Sequence, residues 1–144
     1  MKKIVYDCDL TLGVPGCDVD DGLALMYLLG CPEAELLGVT ATYGNNKIDV
    51  VWETMNRMLL ELGQTELPAR KGGAARGEFQ SDAAEFLVDM ANQYAGELSI
   101  LATGSLTNLG GAYILDQHFF EKVKEIVLMG GITEPLVFEK KIMN

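Results

Sequence analysis

The sequence predicts an α/β fold of the Rossmann-like kind, with a mostly parallel sheet and helices on both of its faces. Short, nearly all-apolar segments alternate with segments whose apolar residues recur at helical spacing, which is typical of strands buried between helices. Polar residues and glycines follow several of the apolar segments directly, and open α/β sheets bind ligands at the carboxyl ends of their strands. With 144 residues, 49% of them hydrophobic, we expect a single domain over residues 1–144.

The first predicted strand begins at Ile4 and ends in Asp7 and Asp9, whose spacing of two residues sends both side chains to the same side. A loop of turn residues, Leu10–Val19, follows, and then a helix over Gly22–Leu29. The later predicted elements are a strand Glu35–Tyr43, a helix Asp49–Leu62 with Gly63 as its C-cap, a short strand Leu67–Arg70, a helix Ala83–Tyr94 opened by Ser81, a strand Leu98–Ala102, a helix ending near Leu115, and a strand Glu125–Met129. The segment Leu136–Asn144 shows no clear periodicity.

Composition disfavours several classes of partner and of site. The net charge of −10 disfavours binding to nucleic acid or to an anionic membrane, because both require clustered Lys and Arg, so a small polar ligand is the better expectation. Cys8, Cys17 and Cys31 include no C-x-x-C pair, and the single histidine, His118, is interpreted as structural, so a zinc site is not predicted. A reducing cytoplasm is the simple expectation for the location, since no signal or membrane segment is seen.

The main functional signal is a group of carboxylates near the amino terminus. Five aspartates fall within fifteen residues, with no basic residue among them: Asp7, Asp9, Asp18, Asp20 and Asp21. Such a group repels itself unless a shared proton or a hard cation relieves the repulsion. Asp9 and Asp21 could bind one divalent ion, with Ca²⁺ favoured where backbone carbonyls join the ligands and Mg²⁺ where several waters remain. For Asp18, Asp20 and Asp21 alone, a solvated loop and helix start is an equal alternative.

Three further strand ends carry candidate ligand-binding residues. Asn45 follows the second strand, but Gly-Asn is also common turn chemistry. Thr103-Gly104-Ser105 could present backbone groups to a ligand, or Ser105 could simply be a helix N-cap. Met129 precedes two glycines, and such a residue usually belongs to the core, although glycines permit close approach of a substrate.

Taken together, these segments resemble the inosine-uridine preferring nucleoside hydrolase family. That family opens with a strand ending D-x-D-P-G-x-D-D-A, and Asp7-Cys8-Asp9 and Asp20-Asp21-Gly22 are similar to its two halves. The similarity continues, in order, through P-E-A-E-L-L-G-V-T-A-T-Y-G-N, L-A-T-G-S-L-T-N-L and K-E-I-V-L-M-G-G.

The resemblance implies Ca²⁺-dependent hydrolysis of the N-glycosidic bond of ribonucleosides. It implies that Asp9 is both a Ca²⁺ ligand and the base for the attacking water, with Asp21 and the Thr103 carbonyl as further ligands. Asp20, Asn45 and Met129 would contact the substrate, and Asp7 would orient the metal ligands. The chemistry of the residues agrees with this implication, because a metal can activate a water and a carboxylate can take its proton.

Two departures from the family pattern are visible in the sequence. Ten residues, Leu10–Val19, separate Asp9 from Asp20 where the family has a much tighter turn, so convergence of the aspartates requires this insertion to loop out. Family members are also considerably longer, and their later part carries further metal and ribose ligands. We therefore expect a truncated nucleoside hydrolase fold with an exposed apolar sheet edge, and either association into a homo-oligomer or a remainder elsewhere.

Two rival interpretations remain open at this point. Asp7-Cys8-Asp9-Leu10-Thr11 also fits D-x-D-x-T, the nucleophile motif of haloacid-dehalogenase-like phosphatases, in which Asp7 would be phosphorylated with Mg²⁺ as cofactor. The later Lys and acidic pair of that family have no clear counterpart, since Lys140 and Lys141 stand without one. The other interpretation is a catalytically incomplete domain that only binds ribose or a metal.

Overall fold

The computed structural model describes residues 1–138 and 141–143. In chain order its elements are β1 Lys2–Cys8, α1 Asp20–Gly30, β2 Ala34–Ala41, α2 Ile48–Glu61, β3 Ala69–Lys71, α3 Asp82–Gln93, β4 Leu98–Ala102, α4 Thr107–Leu115, α5 Phe119–Lys122, β5 Glu125–Leu128, β6 Leu136–Phe138 and β7 Lys141–Met143. Strands β1 to β5 form one sheet in the order β3-β2-β1-β4-β5, and every pairing in it is parallel. The predicted α/β fold with a parallel sheet is confirmed.

Helices cover both faces of this sheet, as the apolar strands predicted. Along β1, Tyr6 and Cys8 pack into one buried cluster with residues of α1 and α2. Val5, which directly precedes Tyr6, packs into a second cluster with residues of α3, α4 and α5. Alternate side chains of a strand point to opposite faces, so the central strand contributes to both cores.

The order of the strands places a crevice at the carboxyl end of β1. From β1 the chain proceeds outward through β2 and β3, and it then returns to the other side of β1 to form β4 and β5. The connections leaving β1 and β4 therefore diverge to opposite faces of the sheet. This is the topological switch point at which doubly wound sheets bind ligands.

Local sequence explains several of the helix ends. The predicted cap of α3 is present, because the Ala84 N–H donates to Ser81 Oγ at 3.1 Å. Gly63, just past the end of α2, has φ +68°, a left-handed conformation that glycine adopts without a Cβ clash. Helix α1 begins at Asp20, with Asp20 and Asp21 in its first turn, where carboxylates interact favourably with the helix dipole.

Three local predictions differ from the structure. Ser105 is not the N-cap of α4, since its hydroxyl instead lies 2.5 Å from Thr42 Oγ1 and Leu106 occupies the cap position. The four-residue helix α5 was not predicted, because a single turn shows no repeated spacing. Strands β6 and β7, which pair in antiparallel fashion, fall in the segment without periodicity because three residues are too few for an alternation to be read. Lys140 and Asn144 lie outside the described residues.

Candidate active and metal site

Loops from three neighbouring strands are held side by side at the carboxyl edge of the sheet. The Thr42 N–H donates to the Cys8 carbonyl at 2.9 Å, and the Thr103 N–H donates to the Asp7 carbonyl at 3.0 Å. These bonds join β1 to the segments that leave β2 and β4. The residues that follow each strand are therefore positioned against one another by backbone contacts.

Asp9 and Asp21 are brought together at this edge. The Asp9 N–H donates to Asp21 Oδ2 at 3.0 Å, and the Asn45 N–H donates to Asp9 Oδ2 at 2.7 Å. Both aspartates are buried. Burial, and after it the adjoining Asp21 side chain, raise the pKa of Asp9 to about 7, while the Asn45 N–H acts in the opposite direction.

Two glycines allow the backbone to approach Asp9 this closely. A Cβ at Gly44 would lie 2.1 Å from Asp9 Oδ2. A Cβ at Gly104 would lie 2.5 Å from Thr42 Cγ2 and 3.1 Å from the Asp9 nitrogen. The absence of a side chain at both positions is thus a geometric requirement of the pocket around Asp9.

The insertion Leu10–Val19 folds back on itself and so permits the meeting of Asp9 with Asp21. Its first residues, Leu10 and Thr11, are completely buried. Thr11 Oγ1 donates to the Asp18 carbonyl at 3.1 Å, which ties the beginning of the insertion to its end. The rest of the loop bulges outward between these two points. Asp18 is exposed, whereas Asp21 is buried and contacts Asp9.

Asp7, by contrast, is completely buried and has different contacts from those of Asp9 and Asp21. Its Oδ1 accepts hydrogen bonds from Thr40 Oγ1 at 2.5 Å and from Asn108 Nδ2 at 2.8 Å. Its Oδ2 is buried and has no hydrogen-bond partner among the described residues. Burial raises the pKa of Asp7 to about 7, although the Asn108 and Thr40 hydrogen bonds lower it.

The burial of Asp7 argues against the phosphatase interpretation. A nucleophile has to meet the substrate phosphorus, and Asp7 has no solvent-exposed surface. One of its carboxylate oxygens is already engaged by Thr40 and Asn108. These contacts suit a residue that fixes neighbouring strands rather than one that attacks a phosphoester.

The remaining candidate residues occupy the rim of the same edge. Asp20 and Asn45 are exposed, and Met129, whose side chain is 58% exposed, stands at the end of β5. Thr103 is half-buried, and its hydroxyl donates to Tyr6 Oη at 3.1 Å. That Tyr6 hydroxyl in turn donates to the Asp21 carbonyl at 3.3 Å, so Thr103 and Asp21 are connected through one side chain.

The Asp9 and Asp21 carboxylates fit a cation, but they are only part of a complete ligand set. Among the described side chains, no Lys, Arg or His forms an ion pair with either aspartate. Within the same part of the chain, no group of three His, Cys, Asp or Glu side chains is placed to hold a metal. Ca²⁺ takes about six to eight oxygen ligands, so carbonyls, waters or substrate hydroxyls have to supply the others.

Sequence reasoning missed the two residues that hold Asp7. Asn108 is almost completely buried, and besides Asp7 it donates to the Ala41 carbonyl at 3.0 Å and accepts from the Gly73 N–H at 3.2 Å. Thr40 is completely buried within β2. The available signal was a polar side chain in an otherwise apolar strand, and an asparagine at the start of an apolar helix, since such residues need partners when buried.

No helix within the described residues combines the length and the apolar character that a membrane crossing demands.

Several curated proteins are similar in sequence to this chain. Uridine nucleosidase 1 of Arabidopsis thaliana is 32% identical over an alignment that covers 90% of this chain and 45% of that protein. The inosine-uridine preferring nucleoside hydrolase of Crithidia fasciculata is 28% identical and is covered to 48%. The chain therefore spans about half the length of the curated relatives it matches.

Solved structures of nucleoside hydrolases are similar to this chain over about half of their own length. A plant nucleoside hydrolase superposes with a TM-score of 0.79 at 26% identity, over 91% of this chain and 48% of that one. A purine-preferring ribonucleoside hydrolase from Gardnerella vaginalis gives a TM-score of 0.77, also at 26% identity, over 91% and 49% of the two chains. The sequence model for "Inosine-uridine preferring nucleoside hydrolase" matches residues 4–138, and the chain belongs to this family.

Proposed function

We propose that this chain supplies the metal-binding and ribose-binding part of a nucleoside hydrolase, which cleaves the N-glycosidic bond of ribonucleosides to give free base and ribose. The observation that carries the proposal is that the Asp21 carboxylate accepts a hydrogen bond from the Asp9 N–H and lies close enough to the Asp9 side chain to raise its pKa. Both aspartates are buried, and neither has a cationic partner among the described side chains. Family membership and the names of the relatives support the same reaction.

Each residue of the edge has a proposed role in this reaction. Asp9, Asp21 and the Thr103 carbonyl would hold Ca²⁺, and Asp20, Asn45 and Met129 would contact the ribose or the attacking water. Ca²⁺ is preferred to Mg²⁺ because a backbone carbonyl belongs to the proposed ligand set. When bound, the cation would lower the pKa of a nearby water and favour the ionised form of the carboxylates.

Asp9 would act as the base that accepts a proton from the attacking water. The Asn45 N–H donates to one of its oxygens, and the other oxygen would accept the proton of the water. Asp7 would act as a positioning residue. It is joined to β2 by Thr40 and to α4 by Asn108, and thus keeps the end of β1 in place.

Calorimetric titration with Ca²⁺ and Mg²⁺ tests the metal site directly. We expect Ca²⁺ to bind more tightly than Mg²⁺, and Asp21→Asn to abolish Ca²⁺ binding because it removes one of two buried charges. Asp18→Asn is a matched control, since Asp18 lies close to Asp21 in the sequence but is exposed. Equal Ca²⁺ affinity in wild type and Asp21→Asn would contradict the proposed ligand set.

Release of free base from uridine and inosine tests the reaction itself. We do not expect full turnover from this chain alone, because it spans about half the length of its curated relatives. The release that does occur should require Ca²⁺ and be lost in Asp9→Asn, in which the side chain can no longer take a proton. Release that survives Asp9→Asn would exclude Asp9 as the base, whatever the metal affinity.

We also propose that the chain is one α/β domain that self-associates through the β5 edge, in the reducing cytoplasm. Val127 and Leu128 are 55% and 49% exposed on this edge strand, and exposed apolar strands favour pairing with another chain. Cys8, Cys17 and Cys31 are free thiols, in keeping with a reducing compartment. Light scattering of wild type and Val127→Lys, with dissociation expected for the variant, tests the association.

A further inference from the structure

The beginning of the insertion packs directly against the first turn of α1, next to Asp21. Gly22 is buried in this turn, and a Cβ at its position would lie 2.6 Å from both Cβ and Cδ1 of Leu12. The Leu12 side chain therefore occupies the space that any larger residue at position 22 would need. Glycine is unfavourable inside a helix, and Gly22 does not have a positive φ, so this close packing is what requires glycine here.

Leu12 is also held by α2. The Arg57 guanidinium, on α2, donates to the Leu12 carbonyl at 2.8 Å. The next residue, Gly13, has φ +87°, and a Cβ there would lie 3.0 Å from Arg57 Nη2, so glycine permits the turn that follows this contact. The side chain and the carbonyl of Leu12 thus connect the first turn of α1, which carries Asp21, with α2.

The other end of the insertion contacts the segment that follows β2. Cys17 Sγ donates to the Asn45 carbonyl at 3.8 Å and accepts from Asn46 Nδ2 at 3.5 Å. The Asn45 N–H in turn donates to Asp9 Oδ2, while the Asp9 N–H donates to Asp21 Oδ2. The two ends of the insertion therefore contact the two segments that carry these hydrogen-bond partners of Asp9.

We propose that the insertion is a positioning element for the Asp9 site, in which Leu12 and Cys17 are positioning residues. Leu12 places Asp21 by its packing on the first turn of α1, and Cys17 places Asn45 by its contacts with the segment after β2. The affinity of the site for Ca²⁺ then depends on a segment that supplies none of the proposed metal ligands. This role rests on the proposed function, because it concerns the same site.

Amide hydrogen exchange of the metal-free protein, followed by NMR, tests the placement of Asp21 directly. We expect Gly22→Ala to accelerate exchange of the Asp9 N–H by about tenfold, because the new methyl group would collide with Leu12 and displace the first turn of α1. Exchange of the Thr103 N–H, which is hydrogen-bonded at the same edge of the sheet, should not change. Alanine is otherwise favourable in a helix, so a purely structural role of Gly22 does not predict this local effect.

A double variant shows whether the effect comes from the contact with Leu12. The three atoms nearest to a Cβ at Gly22 all belong to the Leu12 side chain, and Leu12→Gly removes them. We expect each single change to lower the Ca²⁺ affinity by about tenfold in calorimetry, and the double variant to bind within about threefold of wild type. Gly30→Ala, the same change at the far end of α1, meets no atom within 4 Å and should alter neither measurement.

Cys17 is tested through Asn45. We expect Cys17→Ala, which removes both contacts of the thiol, to accelerate exchange of the Asn45 N–H and to lower the Ca²⁺ affinity by about threefold. Cys17→Ser keeps a donor and an acceptor at this position and should retain most of the wild-type behaviour. Cys31→Ala changes another half-buried free thiol, outside the insertion, and is the control.

The positioning role and the proposed function can fail separately. Wild-type exchange of the Asp9 N–H in Gly22→Ala, or a double variant no better than either single variant, would overturn the role of Leu12. Wild-type exchange of the Asn45 N–H in Cys17→Ala would overturn the role of Cys17. A wild-type protein that does not bind Ca²⁺ would contradict the proposed ligand set, while amide exchange would still report whether the insertion places the partners of Asp9. If Gly22→Ala alone does not fold, the double variant should fold and bind Ca²⁺.

Discussion

Two aspartates that are separated by a single residue experience different surroundings at the end of β1. Asp7 is enclosed by β2 and α4, with one oxygen bound by two side-chain donors and the other without a partner among the described residues. Asp9 lies at the rim, where it contacts a second carboxylate and one backbone N–H. The pKa of each is raised to about 7 and burial is the largest cause for both, but only Asp9 has a neighbouring carboxylate as the next cause.

The comparison distinguishes a buried carboxylate that stabilises the fold from a buried carboxylate that binds a cation or a proton. A carboxylate surrounded by neutral donors stabilises the arrangement of the strands and gains nothing from a cation that cannot reach it. A pair of carboxylates at the rim is unfavourable until a cation or proton arrives. Asp7 should therefore matter mainly for folding, and Asp9 mainly for binding.

The largest effect is expected from Asp7→Ala. This change leaves the Thr40 hydroxyl without its acceptor and deprives Asn108 of one of its acceptors, so we expect the free energy of unfolding to fall by about 2–4 kcal/mol. Denaturant unfolding measures it, with the exposed Asp18→Ala as control, for which we expect a change within about 0.5 kcal/mol. An Asp7→Ala protein as stable as wild type would show that the hydrogen bonds of Asp7 do not stabilise the fold.

A smaller and more local effect is expected from Gly44→Ala. The new methyl group would occupy the position of Asp9 Oδ2, so the carboxylate has to move, and we expect Ca²⁺ affinity to fall by about tenfold, or about 1.4 kcal/mol. Gly30→Ala is the control, because a Cβ there meets no atom within 4 Å. If calorimetry gives the same affinity for both variants, the placement of Asp9 by Gly44 is unimportant for the metal.

The smallest expected effect is a difference between wild type and Asp9→Asn in how the free energy of unfolding depends on pH. The folded pKa of Asp9 is raised above the unfolded value of 3.8, so between about pH 4 and 7 the folded state holds more protons. The contribution of Asp9 to the free energy of unfolding therefore decreases as pH rises through this window.

Asp9→Asn should accordingly make the metal-free protein less sensitive to pH between 4 and 7, as measured by denaturant unfolding at several pH values. Asp116 and Glu125 have lowered pKa values owing to partners such as Lys122 and Ser99, so their contributions are lost as pH falls and have the opposite sign. They are common to both proteins and cancel in the comparison. A steeper decline with pH in Asp9→Asn than in wild type would contradict the assigned direction.

Local sequence was sufficient for the architecture. Apolar runs and helical spacings predicted β1 to β5 and four of the helices, because these patterns depend on which face of each element is buried rather than on where the element lies. The order of the strand-end motifs also pointed to the family, and the density of aspartates pointed to a cation. The sequence did not predict the single-turn helix α5 or the three-residue strands β6 and β7, because they are too short to repeat a pattern.

Tertiary structure decided what each carboxylate does. Asp7 meets Thr40 33 residues away and Asn108 101 residues away, and no pattern within a segment specifies such partners. The fold-back of the insertion, which lets Asp21 reach Asp9, depends in the same way on contacts across the chain. Periodicity reports burial along an element, whereas the protonation and ligands of a side chain depend on its neighbours in space, and these exist only once the sheet is assembled.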